Sequence, residues 1–95
     1  MQLAKVVGTV VSTRKDASLE GLKFLLVRSV DEDGRETGSF LVAADAVGAG
    51  PDELVLIASG SSARQTQQTD KRPVDAVIMG IVDSWDVGDK TKYKK

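Results

Sequence analysis

The serines of "ASGSSARQT" (Ala58–Thr66) are the residues whose types and spacing most invite a chemical reading. Ser61 and Ser62 stand among small residues, with Arg64 two positions on. A nucleophile turn, a phosphate-binding loop and a capped helix start all use such a pattern. The nucleophile turn needs Gly-x-Ser-x-Gly, and Ala63 stands where the last glycine belongs after Ser61. The chain has no histidine, so no Ser-His-Asp triad can be built. A lysine-activated serine is the one nucleophilic variant left open. The remaining reading is a helical turn, with Ser61 or Ser62 as its N-cap and Arg64 in an ion pair.

The other candidates weaken in the same way. "VGAGPDE" holds Gly48 and Gly50 but lacks the third glycine of a dinucleotide fingerprint and the lysine of a P-loop. It reads as a tight turn that needs positive φ at glycine. Asp45, Asp75 and Asp83 lie far apart at strand ends or inside apolar runs. A barrel could bring such carboxylates together for hard-metal binding, but their spacing carries no metal signature. Buried, each would need a partner. Structural ion pairs with Arg64, Lys71 or Arg72, of the same or a neighbouring chain, are the expected role. No cofactor or metal is expected.

Composition narrows the function classes further. The chain has 95 residues, no cysteine, a formal charge of −1 and 41% hydrophobic residues. Zinc–sulfur sites, thiolate catalysis and disulfides are therefore absent. A near-neutral chain offers no global field to draw nucleic acid. No apolar stretch approaches the length of a membrane span, and "MQLAKVVG" lacks the features of a signal peptide. A chain of this mass buries about 64% of its unfolded surface, so self-assembly would add useful stability.

The elements follow from pattern. "LAKVVGTVVST", "LKFLLVRSV", "SFLVAA", "ELVLIAS" and "VDAVIMGIVDSW" read as strands. Gly8 and Gly80 interrupt two of them as a bulge and a bend. "DEDGRETG" holds an Asp-Gly pair between two strands, a strong hairpin signal. One short helix is expected over Ser61 to about Gln68. The expected architecture is all-β: a small OB-like, five-stranded antiparallel β-barrel with one short helix, as a single domain over 1–95. Its core covers about 1–86, and 87–95 is a polar tail that adds a short strand or stays mobile. On such a barrel the basic tail "KTKYKK" with Tyr93 offers an alternative function, a binding module for single-stranded nucleic acid or an anionic ligand. Four aromatic residues and low basicity argue against it.

Four blocks, "KVVGTVVSTRK", "LEGLKFLLVR", "ADAVGAGPDELVLIASGSSARQT" and "RPVDAVIMGIVDSW", occur in the order of the EutN/CcmL family, which this sequence resembles from Leu3 to about Trp85. Members of that family are the pentameric vertex proteins of bacterial microcompartment shells, such as carboxysomes and metabolosomes. The resemblance implies a non-catalytic OB-like barrel that forms a homopentamer among hexameric shell proteins in the cytoplasm. It also implies that Gly48, Ala49, Gly50, Gly60, Ser61, Ser62 and Arg64 lie at or near subunit contacts and the central axis. It implies no nucleic acid and no membrane as partner.

Overall fold

The computed structural model describes residues 1–95. Five strands close a barrel: β1 (Gln2–Val10), β2 (Phe24–Val30), β3 (Glu36–Asp45), β4 (Leu54–Ser59) and β5 (Ala76–Ile81). Their order around the barrel is β1-β2-β3-β5-β4, and β4 returns to β1. Two further strands, β6 (Ser84–Val87) and β7 (Lys90–Lys94), form a separate hairpin. Short 3₁₀ turns occupy Ala17–Leu19 and Gly60–Arg64. No helix is long and apolar enough to cross a membrane.

Alternation builds the core. On β2, Leu25 and Val27 point inward; on β4 and β5, Ile57 and Ile78 face each other across the ladder. Ala4, Val6 and Val55 fill the remaining interior, and Ala49 enters it from the loop before β4. The residues are branched and small, so five strands can close tightly around them. A second cluster lies outside the barrel wall. Ala44, Ala58 and Val77 project outward there and are covered by Ala63 and Val74.

The glycine readings match the register. β1 slips against β2 between Val6 and Gly8, and β4 slips against β5 where Leu56 meets Gly80. The Asp33-Gly34 hairpin also forms, with Gly34 at φ +81°. Asp31 fixes it by accepting from the Asp33 and Arg35 N–H groups.

Four details differ from expectation. One seam of the barrel, Ala44↔Val77 and Asp45↔Ile78, is parallel, because the crossing after β4 makes β5 run beside β3 in the same direction. The helix after β4 is a five-residue 3₁₀ turn. Its N-cap is Ser59, which makes no side-chain cap bond, and neither Ser61 nor Ser62 holds that place. Gly60, at φ +64°, turns the chain before either serine, and its N–H goes to Asp75 O at 2.8 Å. Finally, "VDAVIMGIVDSW" breaks at Val82 and Asp83, so the boundary drawn at 86 falls inside the β6–β7 hairpin.

Candidate functional site

The Gly48 loop is built by one side chain. Asp45, the last residue of β3, is only 2% exposed in its side chain. Its Oδ1 accepts from Val47 N–H and Gly48 N–H, both at 3.1 Å, and its Oδ2 accepts from Ala49 N–H at 3.0 Å. Lys23 Nζ lies 3.9 Å away. The carboxylate bends the chain back on itself and pushes Ala49 into the barrel. Gly48 takes φ +77° to allow it, and a side chain there would meet open space. The loop is then stitched to β1 by Asp52 N–H to Val6 O and Val6 N–H to Glu53 O, each 3.0 Å. Glu53 Oε1 accepts from Gly50 N–H.

The Ser61 turn is held from beneath. Ala63 is fully buried in the outer cluster. Thr69, also fully buried, donates its hydroxyl to Ala63 O at 2.6 Å. The Thr66 and Thr69 hydroxyls are 2.7 Å apart, and Thr69 N–H donates to Thr66 Oγ1 at 3.0 Å. Arg64 donates to Val74 O at 3.2 Å. The Ser61 and Ser62 hydroxyls are left facing outward with no hydrogen-bond partner in the chain, while Ser62 O accepts from Gln65 N–H at 3.3 Å.

These contacts sort the sequence candidates. Gly48, Gly60, Ser61 and Ser62 are exposed, and Gly50 and Arg64 are half-buried. Ala49 differs: it is buried among the barrel residues, so its small side chain serves the chain's own core. The two loops enter and leave β4, and no hydrogen bond or ion pair joins them. Arg64 binds a carbonyl where an acid was expected. Of the three acids, Asp45 alone has a cation within 4 Å, namely Lys23, which the sequence reading did not propose. Asp75 and Asp83 are exposed, so neither is a buried carboxylate in need of a partner. Within the chain, Lys71 and Arg72 pair with none of the three. Arg72 instead donates to Ser18 O at 3.0 Å and Glu20 O at 2.7 Å, tying the first 3₁₀ turn down. No three His, Cys, Asp or Glu side chains gather where a metal ion could be held.

The tail is an ordered element that the sequence left open. Trp85 and Tyr93 stack with ring centroids 5.1 Å apart. Trp85 Nε1 donates to Glu32 O at 2.8 Å, in the β2–β3 hairpin. Lys92 Nζ pairs with Asp33 at 2.8 Å, and Lys95 Nζ with Glu53 at 2.6 Å. The hydrogen bonds from these lysines hold the Asp33 and Glu53 carboxyls below their ordinary range and raise both lysines above theirs. For the acids, the stabilisation is complete above the ordinary carboxylate pKa and disappears as pH falls through the lowered values, that is, below about 4. For the lysines it is complete below their ordinary pKa and disappears as pH rises through the raised values. The single tryptophan should therefore report hairpin release at acid pH through its emission, while the far-ultraviolet signal of the barrel persists. Lys92→Ala should shift that release toward neutral pH; unchanged emission in both experiments would mean that apolar stacking alone holds the hairpin.

What remains, then, is a rigid barrel whose outward features are loops and exposed strand. Comparison with known proteins fits that geometry. The sequence model of the family described as ethanolamine utilisation protein EutN/carboxysome, EutN_CcmL, matches residues 1–83. The carboxysome shell vertex protein CcmL of Nostoc sp. is 54% identical over 96 residues, covering 100% of this chain and 95% of its own. The solved structure of Gloeobacter violaceus CcmL superposes with a TM-score of 0.96 at 50% identity, covering 100% of this chain and 98% of that one. The GrpN pentameric microcompartment shell protein from Rhodospirillum rubrum matches with a TM-score of 0.85 at 46% identity, covering 92% and 99%. With its barrel, its loops and nearly its whole length shared with these proteins, the chain belongs to the EutN/CcmL family.

Proposed function

We propose that this chain is a non-catalytic shell vertex protein of a bacterial microcompartment, working as a closed ring of five copies. The observation that carries the reading is the whole-chain likeness to a pentameric microcompartment shell protein, together with half-identity to carboxysome shell vertex proteins. The mechanism is geometric. Contacts between two different patches of each copy close into a ring when the rotation between neighbours divides the circle. A five-fold ring set among hexameric tiles introduces the curvature that a flat six-fold sheet lacks, so the shell can close in the cytoplasm. Chemistry is not required of it, and a chain with neither histidine nor cysteine is suited to that role.

Gly48, Gly60, Ser61 and Ser62 are proposed contact residues, since they are exposed on loops where small side chains allow close approach, and half-buried Gly50 and Arg64 beside them are proposed with them. The light-scattering mass of the purified chain should equal five copies. A stable single-chain mass would overturn the vertex reading. Ser61→Trp should reduce that mass without unfolding the barrel, because Ser61 is exposed in the single chain. A five-copy mass in that variant would remove the turn from the contact.

A further inference from the structure

We infer that Asp33-Gly34 is a site of spontaneous modification, where the peptide bond migrates onto the Asp33 side chain to give isoaspartate, and that the β6–β7 hairpin is the clasp that holds this reaction back. The site belongs to the single chain, whether or not copies assemble.

The sequence supplies the reacting pair. An aspartate followed by glycine is the pair most open to this rearrangement, because glycine has no Cβ to keep its nitrogen from the neighbouring carboxyl. Asp33-Gly34 is the only Asp-Gly pair in the chain, and there is no asparagine to react in its place. The Gly34 nitrogen attacks Asp33 Cγ. A C–N bond forms and a Cγ–O bond breaks. The hydroxyl of the protonated carboxyl and the proton of the Gly34 N–H leave together as water, and a cyclic imide closes. Water then reopens the ring at the Asp33 main-chain carbonyl, so that the chain runs on through Cγ. Nothing is oxidised or reduced, and water is the only co-reactant.

The hairpin holds three successive residues of this turn. Trp85 Nε1 donates to Glu32 O at 2.8 Å. Lys92 Nζ lies 2.8 Å from Asp33 Oδ1. The indole covers Gly34, where a Cβ would stand 3.6 Å from Trp85 Cη2 and Cζ2. The turn adds a bond of its own, from Gly34 N–H to Asp31 O at 2.9 Å. These contacts oppose the requirements of the reaction one by one. The nitrogen must leave Asp31 O, and the carboxyl must turn toward Gly34 and away from Lys92. The carboxyl must also be protonated, since a carboxylate oxygen leaves poorly. Lys92 holds it below its ordinary range, so the protonated form is scarce. Reaction therefore runs from the locally open form, in which the hairpin has lifted. Its product does not close again. Isoaspartate adds a carbon to the backbone of the turn and sets the free carboxylate directly on Cα, so Trp85 and Lys92 lose their partners. Acid lifts the hairpin reversibly; isomerisation lifts it for good.

The test keeps the full chain for weeks at neutral pH and physiological temperature, then cuts it with trypsin. Electron-transfer fragmentation of the Ser29–Arg35 peptide distinguishes isoaspartate at Asp33 from an unchanged Asp31. Wild type should accumulate it slowly at Asp33. Lys92→Ala should raise the rate about two- to fivefold, the weight of one exposed ion pair in the opening equilibrium. Trp85→Ala removes a ring stack and a hydrogen bond and should raise it at least about tenfold. Asp33→Glu keeps a carboxylate for Lys92 but must close a larger ring, and should show none. Wild-type chains that carry isoaspartate, separated by ion exchange, should show at neutral pH the Trp85 emission of the released hairpin. Equal rates in wild type and both clasp variants would overturn the clasp, and no isoaspartate at Asp33 in any of them would overturn the site. Native emission in the modified fraction would overturn the permanent release. Lys92 is exposed, so its variant decides the matter even if Trp85→Ala loses the far-ultraviolet signal of the barrel.

Discussion

Asp45→Ala is expected to lower stability by about 2 to 3 kcal/mol and the urea midpoint by about 1 to 2 M at fixed protein concentration. Three backbone N–H groups lose their acceptor together. Those of Val47 and Gly48 lie in exposed residues and can turn to water. That of Ala49 belongs to a buried residue and cannot, so most of the cost arises there. Without this anchor, Ala49 is held against the core only through the bonds of Gly50, Asp52 and Glu53 that follow it, and the loop that presents Gly48 loses its shape. Asp45→Asn should fall between the two. It keeps an oxygen for Val47 and Gly48 but can set an NH₂ group against the Ala49 N–H. Asp75→Ala is the control: an exposed acid with no cation within 4 Å should cost under about 0.5 kcal/mol. Equal losses at Asp45 and Asp75 would mean that charge, and not the loop anchor, is what matters at Asp45.

Those two aspartates also show what the sequence could and could not reveal. The barrel was legible because its signals are local: short apolar, strand-type runs such as "LKFLLVRSV", an Asp-Gly turn, and glycines where the register slips. The role of Asp45 was visible only in outline. An acid before a glycine loop is an Asx-type anchor as easily as an ion-pair member, and Lys23 reaches it only because β2 lies beside β3. Asp75 was misjudged because the apolar run around it suggested burial. Just before β5, between buried Val74 and Ala76, its side chain turns out to water instead. The tail hairpin was hidden for another reason. "KTKYKK" has no apolar stripe, and its order comes from nearby Trp85 and from Glu32 and Asp33, which lie more than 50 residues upstream of the residues they hold. Arg72 was missed likewise, since its two carbonyl partners lie far upstream. The parallel seam depends on how the chain returns after β4, which no short window encodes.

Thr69→Val should cost about 2 kcal/mol, a large effect for exchanging a hydroxyl with a methyl of similar size. Thr69 is the one polar residue that is buried, and pattern reading passed over it as part of a polar connection. Its hydroxyl donates to Ala63 O and meets the Thr66 hydroxyl, so it closes the underside of the Gly60–Arg64 turn. Valine fits the space but leaves the carbonyl of a fully buried residue without its donor. Thr69→Ser keeps the hydroxyl and loses only a methyl, so it should cost about 1 kcal/mol. The order Val worse than Ser separates hydrogen bonding from packing; the reverse order would show that Ala63 packing alone fixes the turn. The consequence for assembly follows from position. The Ser61 and Ser62 side chains make no bond of their own, so the turn keeps its shape largely through Ala63 and Thr69 beneath it. If the turn is a contact, Thr69→Val should weaken the ring more than its loss of chain stability explains, although Thr69 itself is fully buried in its own chain.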